Sequence, residues 1–414
     1  MQRMKMKVKN NTNKKYLPSQ GPRLLALPND HFNSYGRLPH HDFHNELNPN
    51  NWFEEVMFLT WRQDNDLCEY AGVQSKDFLR DKTNAEKLRQ DLINDRIPFE
   101  QASRFSQIFN GARSKIEAVV NNYQPDIVRT WNADHAAQLG LIVKDYTEAP
   151  LVMSVYNPTK VTSTILNADL LICESEELKG ICMNQYGMDP DKIRVIHNGI
   201  DQDLFKPRSP NEISQSIAGE YANAPHKVLS IGRIVNGKNI ESILDAVSSI
   251  KPSFPGLVHL HVGAAPSQDL QNDLLELRDS LGLEGTSYFL DHVPKSELPS
   301  IYSWADVFVH PSLWEGLSRV LRESLSCGTP VVTTNYGSAT EIVTQGHNGL
   351  MVNPKDLNEF TGAISQILKD DSLRSKLAAN AKPSMKKYNM GNSMRLQVEA
   401  YQEILNQPSM VIAK

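Results

Sequence analysis

The sequence predicts an α/β protein of two doubly wound parallel-sheet domains facing each other across a cleft. Three observations carry that expectation. The chain has 414 residues, enough for two compact cores. Short apolar runs alternate with amphipathic stretches through both halves, the pattern of parallel strands covered by helices. A polar stretch from Lys206 to Pro225, interrupted by Pro207 and Pro210, separates the halves and reads as an interdomain connection. The resulting partition is a basic, disordered leader over 1–22, a first domain over 23–206 and a linker over 207–224, followed by a second domain over 225–390 and a terminal helix over 391–414.

In the first half, strands are expected near Leu24 to Leu27, Val56 to Thr60, Ile127 to Arg129, Leu151 to Val155, Leu170 to Cys173 and Arg194 to Ile196. Phe105, Ile108, Phe109, Ala112, Ile116, Val119 and Val120 recur at helical spacing between the second and third of these. The second half repeats the pattern. Strands at Val228 to Ile231, Val258 to Val262, Tyr288 to Leu290, Val307 to Val309 and Val331 to Thr333 alternate with helices such as the one carrying Ile240, Ile243, Leu244 and Val247.

Composition narrows the function classes. Lys and Arg number 43 against 48 Asp and Glu, a net charge of −5 that gives no sign of a nucleic-acid partner. No apolar run approaches the length of a membrane span and no secretory pattern is evident, so the cytoplasm is the expected compartment. Cys68, Cys173, Cys182 and Cys327 lack zinc spacing and read as reduced, structural thiols. Arg3, Lys5, Lys7, Lys9, Lys14, Lys15 and Arg23 precede the first acid, Asp30. Such a leader suits peripheral attachment to the anionic face of a membrane, although its asparagines and weak amphipathic pattern favour a solvated tail.

Chemistry concentrates between Val307 and Val332. A strand, a loop, a short helix and a second strand place Glu315 at the carboxyl end of the first strand and Glu323 in the second turn of the helix. Between them, Gly316, Leu317 and Ser318 bring backbone N–H groups and the positive helix end to whatever occupies the cleft, and Ser318 is the expected cap. A diphosphate suits that place. Each carboxylate accepts two hydrogen bonds, so Glu323 can hold a ribose while Glu315 holds a hexose. The plainer reading is two solvated glutamates flanking a crossover helix.

The surrounding residues decide between these readings. The H-P-S, E-G, C-G-T-P-V-V, G-S-A-T-E-I-V and H-N-G-L-M-V blocks from Ala305 to Val352 resemble the donor-binding half of family 4 retaining glycosyltransferases. K-V-L-S-I-G-R-I-V-N-G-K-N at Lys227 to Asn239 and K-I-R-V-I-H-N-G-I-D at Lys192 to Asp201 extend the resemblance in the family's order. It implies two Rossmann-like domains in the GT-B architecture, with the final helix, around Met394 to Ile404, crossing back onto the first. It also implies a nucleotide sugar, such as a uridine, guanosine or adenosine diphosphate sugar, as co-substrate, with no further cofactor.

Arg233 and Lys238 follow Gly232 at a strand end and precede a helix near Asn239, where the resemblance assigns them the donor diphosphate. Two cations there can stabilise the departing polyanion, so a divalent metal is not required. Asp64 to Asp66, Asp189 to Asp191 and Asp201 to Asp203 are D-x-D triplets, each more simply a turn. Gly263 lets backbone approach a ligand. By resemblance, backbone at Asp291, His292 and Val293 contacts the base, with Asp291 standing where the family has glycine.

The first domain departs from the family pattern. Its first loop, P-N-D-H-F-N-S-Y-G-R, carries only Gly36, with Arg37 able to meet a phosphate. Where the family has a histidine after the strand P-L-V-M-S-V-Y-N, this chain has Tyr156 and Asn157. His135 is a substitute candidate for sugar contact, or a histidine at a helix start. His40, His41, Asp42 and His44 read as a polar loop rather than a metal site. The expected activity is hexosyl transfer from a nucleotide sugar to a hydroxyl acceptor: a glycan, a lipid-linked glycan, a small polyol or phosphosugar, or a protein. A nucleotide-sugar 2-epimerase on the same architecture and a non-catalytic nucleotide-sugar binder are the alternatives.

Overall fold

The computed structural model describes residues 21–27, 49–60, 73–77, 113–131, 133, 135–291 and 293–406. Among these, two parallel sheets form. The first has seven strands in the order β3-β2-β1-β4-β5-β6-β7. They are β1 Arg23–Leu27, β2 Glu55–Thr60, β3 Val73–Asp77, β4 Ile127–Trp131, β5 Leu151–Val155, β6 Leu170–Cys173 and β7 Ile193–Val195. The second has six, in the order β10-β9-β8-β11-β12-β13. These are β8 His226–Ile231, β9 Leu257–Val262, β10 Ser287–Leu290, β11 Val307–His310, β12 Val331–Thr334 and β13 Gly349–Val352. In both sheets the order reverses beside the first strand, which is the doubly wound pattern.

Near-continuous apolar strands are explained by burial on both faces. In the first sheet, Leu25, Leu27, Val128, Met153 and Leu171 pack against the helices Arg113–Tyr123, His135–Lys144 and Glu176–Tyr186. Leu24, Ala26, Ile127, Val152 and Leu170 face the other way. They are covered by the last helix, Met390–Asn406, through Ala400 and Tyr401. Tyr401 is fully buried, its ring 5.7 Å from Trp52 and 5.2 Å from Phe53. The final helix therefore closes the open face of a sheet formed far earlier in the chain.

In the second sheet, Val228, Val307, Val309 and Val332 pack under the helices Ile240–Ile250 and Leu357–Lys369. Leu229, Phe308 and Val331 pack under Leu298–Trp304 and Arg319–Ser326.

Differences from the sequence expectation lie at edges and connections. β3 and β13 were not expected, and both are edge strands; β3 is mostly polar, VQSKD, whereas β13 is a short apolar run, GLMV, with Leu350 and Val352 buried. The helix expected from Phe105 is described from Arg113 onward, its earlier positions lying outside the described residues. The stretch after Lys206 is docked rather than extended. Its helix Pro210–Ser214 carries a capping box between Ser209 and Glu212, and Arg208 N donates to Ser303 Oγ at 3.0 Å. Trp304 Nε1 donates to the Tyr221 carbonyl at 3.0 Å, so this connection packs on the second domain.

Cys173, Cys182 and Cys327 are free and buried, while Cys68 lies outside the described residues.

Candidate functional site

The second sheet reverses its winding between β8 and β11, and open parallel sheets bind ligands outside the carboxyl ends of strands at such a point. The loop after β8 carries Arg233 and Lys238; the loop after β11 carries Glu315. Gly232 opens the loop after β8 with φ of 158°, and Gly263 opens the neighbouring loop after β9 with φ of 145°. A Cβ on Gly263 would lie 1.9 Å from the Gly232 carbonyl oxygen, so the close approach of the two loops requires glycine there.

Lys238 Nζ is ion-paired and hydrogen-bonded to Glu315 Oε1. The same oxygen accepts from His310 Nε2 at 3.2 Å, and Ser312 Oγ lies 3.4 Å from it. Burial would raise the Glu315 carboxyl, but the His310 hydrogen bond and the Lys238 charge more than offset it and hold it down to about 2. His310 is itself pushed below its ordinary value by burial, so it acts as a neutral donor and Lys238 supplies the charge. An ammonium has three protons to donate, and Glu315 takes one direction of them. Arg233 is exposed beside this pair and makes no ion pair among the described residues. The loops are tied together by the Gly237 carbonyl, which accepts from Leu313 N at 2.9 Å and Ser312 Oγ at 3.0 Å.

The helix Arg319–Ser326 opens at Ser318, but the expected side-chain cap is absent. Ser318 Oγ lies 3.3 Å from His310 Nε2 instead, because that buried nitrogen is the nearer polar partner. Among the described residues, the N–H groups of Gly316, Leu317 and Ser318 meet no acceptor. Of these, the Ser318 N–H is oriented by Arg322, which is wholly buried, and the Gly316 N–H by Ser338, whose Oγ donates to the Glu315 carbonyl of the same peptide. The Arg322 guanidinium takes the carbonyls of Leu317 and Ser318 at 3.1 and 3.2 Å, so the N–H half of each gripped peptide points the opposite way. The same guanidinium binds Asn198 O and pairs with Glu174 at 3.4 Å, both from the first domain. Glu323 is buried and accepts from Tyr302 O–H at 3.0 Å and Arg319 Nε at 3.2 Å.

The first domain closes on this loop. A Cβ on Gly316 would lie 1.8 Å from the Tyr156 carbonyl oxygen, so only glycine admits the contact. Glu177 Oε2 accepts from Ser338 N at 2.8 Å, and Ser338 Oγ donates to the Glu315 carbonyl at 3.1 Å. His197 Nε2 lies 3.1 Å from Glu341 Oε2 across the same seam.

Other sequence candidates fare unevenly. The Tyr156 hydroxyl lies 3.4 Å from Arg129 Nη2, while Asn157 Oδ1 accepts from Thr159 N and Oγ1, both at 2.9 Å, and so caps its own turn. His135 is the first residue of its helix. Val293 is buried and Asp291 exposed. Gly36, Arg37, His292, the histidine cluster at 40–44 and Asp64 to Asp66 lie outside the described residues. Asp189 and Asp201 spend their carboxylates on local N–H groups, as turns do. Among the described residues, no three His, Cys, Asp or Glu gather as an ion site, and no helix is long and apolar enough to cross a membrane. Sequence reasoning gave no role to His310 or Arg322, although a polar residue at the last position of a buried strand was a usable sign for the first.

Comparison with known proteins agrees with this layout. The profile described as Glycosyl transferases group 1 matches residues 211–384, and that described as Glycosyltransferase Family 4 matches residues 78–204. A D-inositol 3-phosphate glycosyltransferase of Nocardioides sp. is 26% identical over 301 residues, covering 64% of this chain and 65% of its own length. O-antigen chain mannosyltransferase B of Escherichia coli is 27% identical over 251 residues, 59% of this chain and 64% of that protein. The chain thus spans less than two thirds of either relative. HepE of Anabaena, solved in complex with UDP, superposes with a TM-score of 0.70 at 21% identity, covering 92% of this chain and all (100%) of that one. Sucrose-phosphate synthase of Thermosynechococcus elongatus gives 0.74 at 20% identity, covering 93% and 99%. At such identities the likeness is one of fold.

Proposed function

Because the chain belongs to the family 4 glycosyltransferases, the glycosyl transferases group 1 with their GT-B fold, we propose that it moves a hexosyl group from a nucleoside-diphosphate sugar to a hydroxyl acceptor with retention of configuration. The observation that carries this reading is the Lys238–Glu315 pair, with Arg233 beside it, at the switch point of the second sheet.

Transfer breaks the bond between the sugar C1 and the terminal phosphate oxygen, and the electron pair leaves with the nucleoside diphosphate. Arg233 and the free protons of Lys238 stabilise that developing charge. They take the part that a divalent ion plays in metal-dependent transferases. The acceptor hydroxyl attacks C1 from the face the diphosphate vacates, and its proton passes to the departing phosphate oxygen. Retention follows from that same-face exchange. Glu315, held anionic at neutral pH, accepts hydroxyls of the hexose, and the unpaired N–H groups of Gly316 to Ser318 face the diphosphate. The free lone pairs of Glu323 take the ribose hydroxyls, with Tyr302 fixing the carboxylate. Gly232, Gly263 and the backbone at Asp291 to Val293 line the donor side, while Gly36, Arg37, His135, Tyr156 and Asn157 belong to the acceptor or sugar-contact side.

The UDP complex of a structural neighbour supports a nucleotide-sugar donor. The relatives' names offer a phosphorylated polyol and a glycan as acceptor classes. The test mixes the protein, in the presence of a chelator, with uridine, guanosine and adenosine diphosphate hexoses and cell extract, and reads nucleoside diphosphate release and the anomeric configuration of the product. Release with retention supports transfer. A changed donor sugar would identify an epimerase, and binding without turnover a non-catalytic binder.

A further inference from the structure

Two histidines and two serines form a buried polar row on a face of the second sheet that also carries Val228, Val307, Val309 and Val332. His259 and His261 are wholly buried on β9, under the helix Ile240–Ile250, in a cluster with Val228, Leu257 and Phe289. Burial pushes their imidazoles down to about 3 and about 4, so both are neutral at physiological pH. A neutral imidazole has one donor and one acceptor nitrogen. The contacts fix which is which.

His261 Nε2 lies 3.1 Å from the Gly232 carbonyl, which can only accept, so Nε2 carries the proton and Nδ1 is bare. Ser230 Oγ, 2.8 Å from that Nδ1, must therefore donate to it. Having spent its proton, Ser230 accepts from His259 Nε2 at 2.9 Å. His259 Nδ1 is then the acceptor for Ser287 O–H at 3.2 Å. Register supports the chain, since Ser230 stands opposite His261 and Ser287 opposite His259. Every proton runs one way, from β10 through β9 and β8 to the Gly232 carbonyl.

That carbonyl belongs to the peptide that leads into Arg233. It is gripped on one side by His261 and packed on another against Gly263, where even a methyl group would fall 1.9 Å away. The peptide is planar and trans, so holding the carbonyl fixes the Arg233 N–H in the opposite direction. This N–H meets no acceptor among the described residues. We propose that His261, backed by Ser230, His259 and Ser287, is a positioning residue for the donor site, holding the Gly232–Arg233 peptide so that the Arg233 N–H and side chain present to a nucleoside diphosphate. The proposal rests on the donor reading above and adds a role to residues that touch no ligand.

The test exploits the two ring nitrogens separately. In His261→Gln, the side-chain amide reaches the place of Nε2 and keeps the bond to Gly232. In His261→Asn, the shorter side chain reaches only the place of Nδ1 and drops it. Affinity for UDP, GDP and ADP is measured by calorimetry on both variants and the wild type, with thermal midpoints alongside. His261→Asn should weaken nucleotide binding about tenfold, while His261→Gln stays within about twofold. Their thermal midpoints should fall by similar amounts, each having lost one end of the chain. Equal losses of affinity in the two variants overturn the positioning role while leaving the donor site standing. Failure of the folded wild type to bind any of the three nucleotides overturns the donor reading and the proposal together.

Discussion

The loop after β11 in the second domain and the loop after β5 in the first stand across one seam and present different groups to it, a charged pair from the one and the Tyr156 backbone carbonyl from the other. After β11, the loop is gripped from several elements: Thr334 Oγ1 holds the Ser312 carbonyl, Ser338 holds the Glu315 carbonyl, and Arg322 holds those of Leu317 and Ser318. After β5, Asn157 caps its own turn, the Tyr156 hydroxyl reaches Arg129 at 3.4 Å, and the Val161 carbonyl accepts from Tyr186 O–H at 2.8 Å, all well short of a fixed charge. The first loop fixes charges in space before a ligand arrives, which is what stabilising a departing polyanion requires. The second shapes a wall. Under the proposed function, the chemistry belongs to the second domain and the contact surface to the first, and each experiment below can break or sharpen that contrast.

The largest effect is expected at the seam. Arg322→Met removes a wholly buried guanidinium from its ion pair with Glu174 and from the carbonyls of Asn198, Leu317 and Ser318, a change that costs about 3–5 kcal/mol of stability. Chemical denaturation measures it, and a loss below 1 kcal/mol would show that the seam does not anchor the loop. Lys238→Ala comes next. It should lower turnover by about 10²–10³-fold with a folded protein, as loss of a preorganised donor to a developing anion does.

Acid stability offers a third check. His259 and His261 have folded values depressed to about 3 and 4 against an ordinary 6.5, so the unfolded chain takes up protons first as pH falls. Stability should therefore be full above pH 6.5 and decline from there, through about pH 4 for His261 and about pH 3 for His259, at on the order of 1 kcal/mol per pH unit per histidine. Glu315, depressed to about 2, adds its loss only below pH 4.5. His261→Gln should flatten the upper part of this slope in a pH series of denaturation midpoints. Glu323→Ala should raise the donor KM about tenfold with a smaller change in kcat, because it removes binding made equally in ground and transition states.

Much of this layout was legible in the sequence, for identifiable reasons. β8 and β11 are buried on both faces and read as apolar runs, and the spacing of Glu315, Lys238 and Arg233 from those strand ends put them at one edge. What stayed hidden depends on partners distant in sequence. Arg322 meets Glu174 across 148 positions, and nothing local distinguishes it from the exposed Arg319. His261 reads as one polar residue in a strand until Ser230 stands opposite it in register. The Ser318 cap was inferred from local preference and displaced by a tertiary partner, His310. Edge strand β3 carries no apolar run, and β13 is a four-residue apolar run that opens on Gly349.

The smallest effect is expected at Tyr156→Phe, which removes a hydroxyl lying 3.4 Å from Arg129 Nη2 and should change turnover by less than about threefold. Set beside Lys238→Ala in one assay of nucleoside diphosphate release, it gives the most direct measurement of the division between the halves. A fall of about a hundredfold or more for Lys238→Ala against under about threefold for Tyr156→Phe is the expected result. Equal falls, or unchanged release in Lys238→Ala, would contradict the assignment of the chemistry to the second domain.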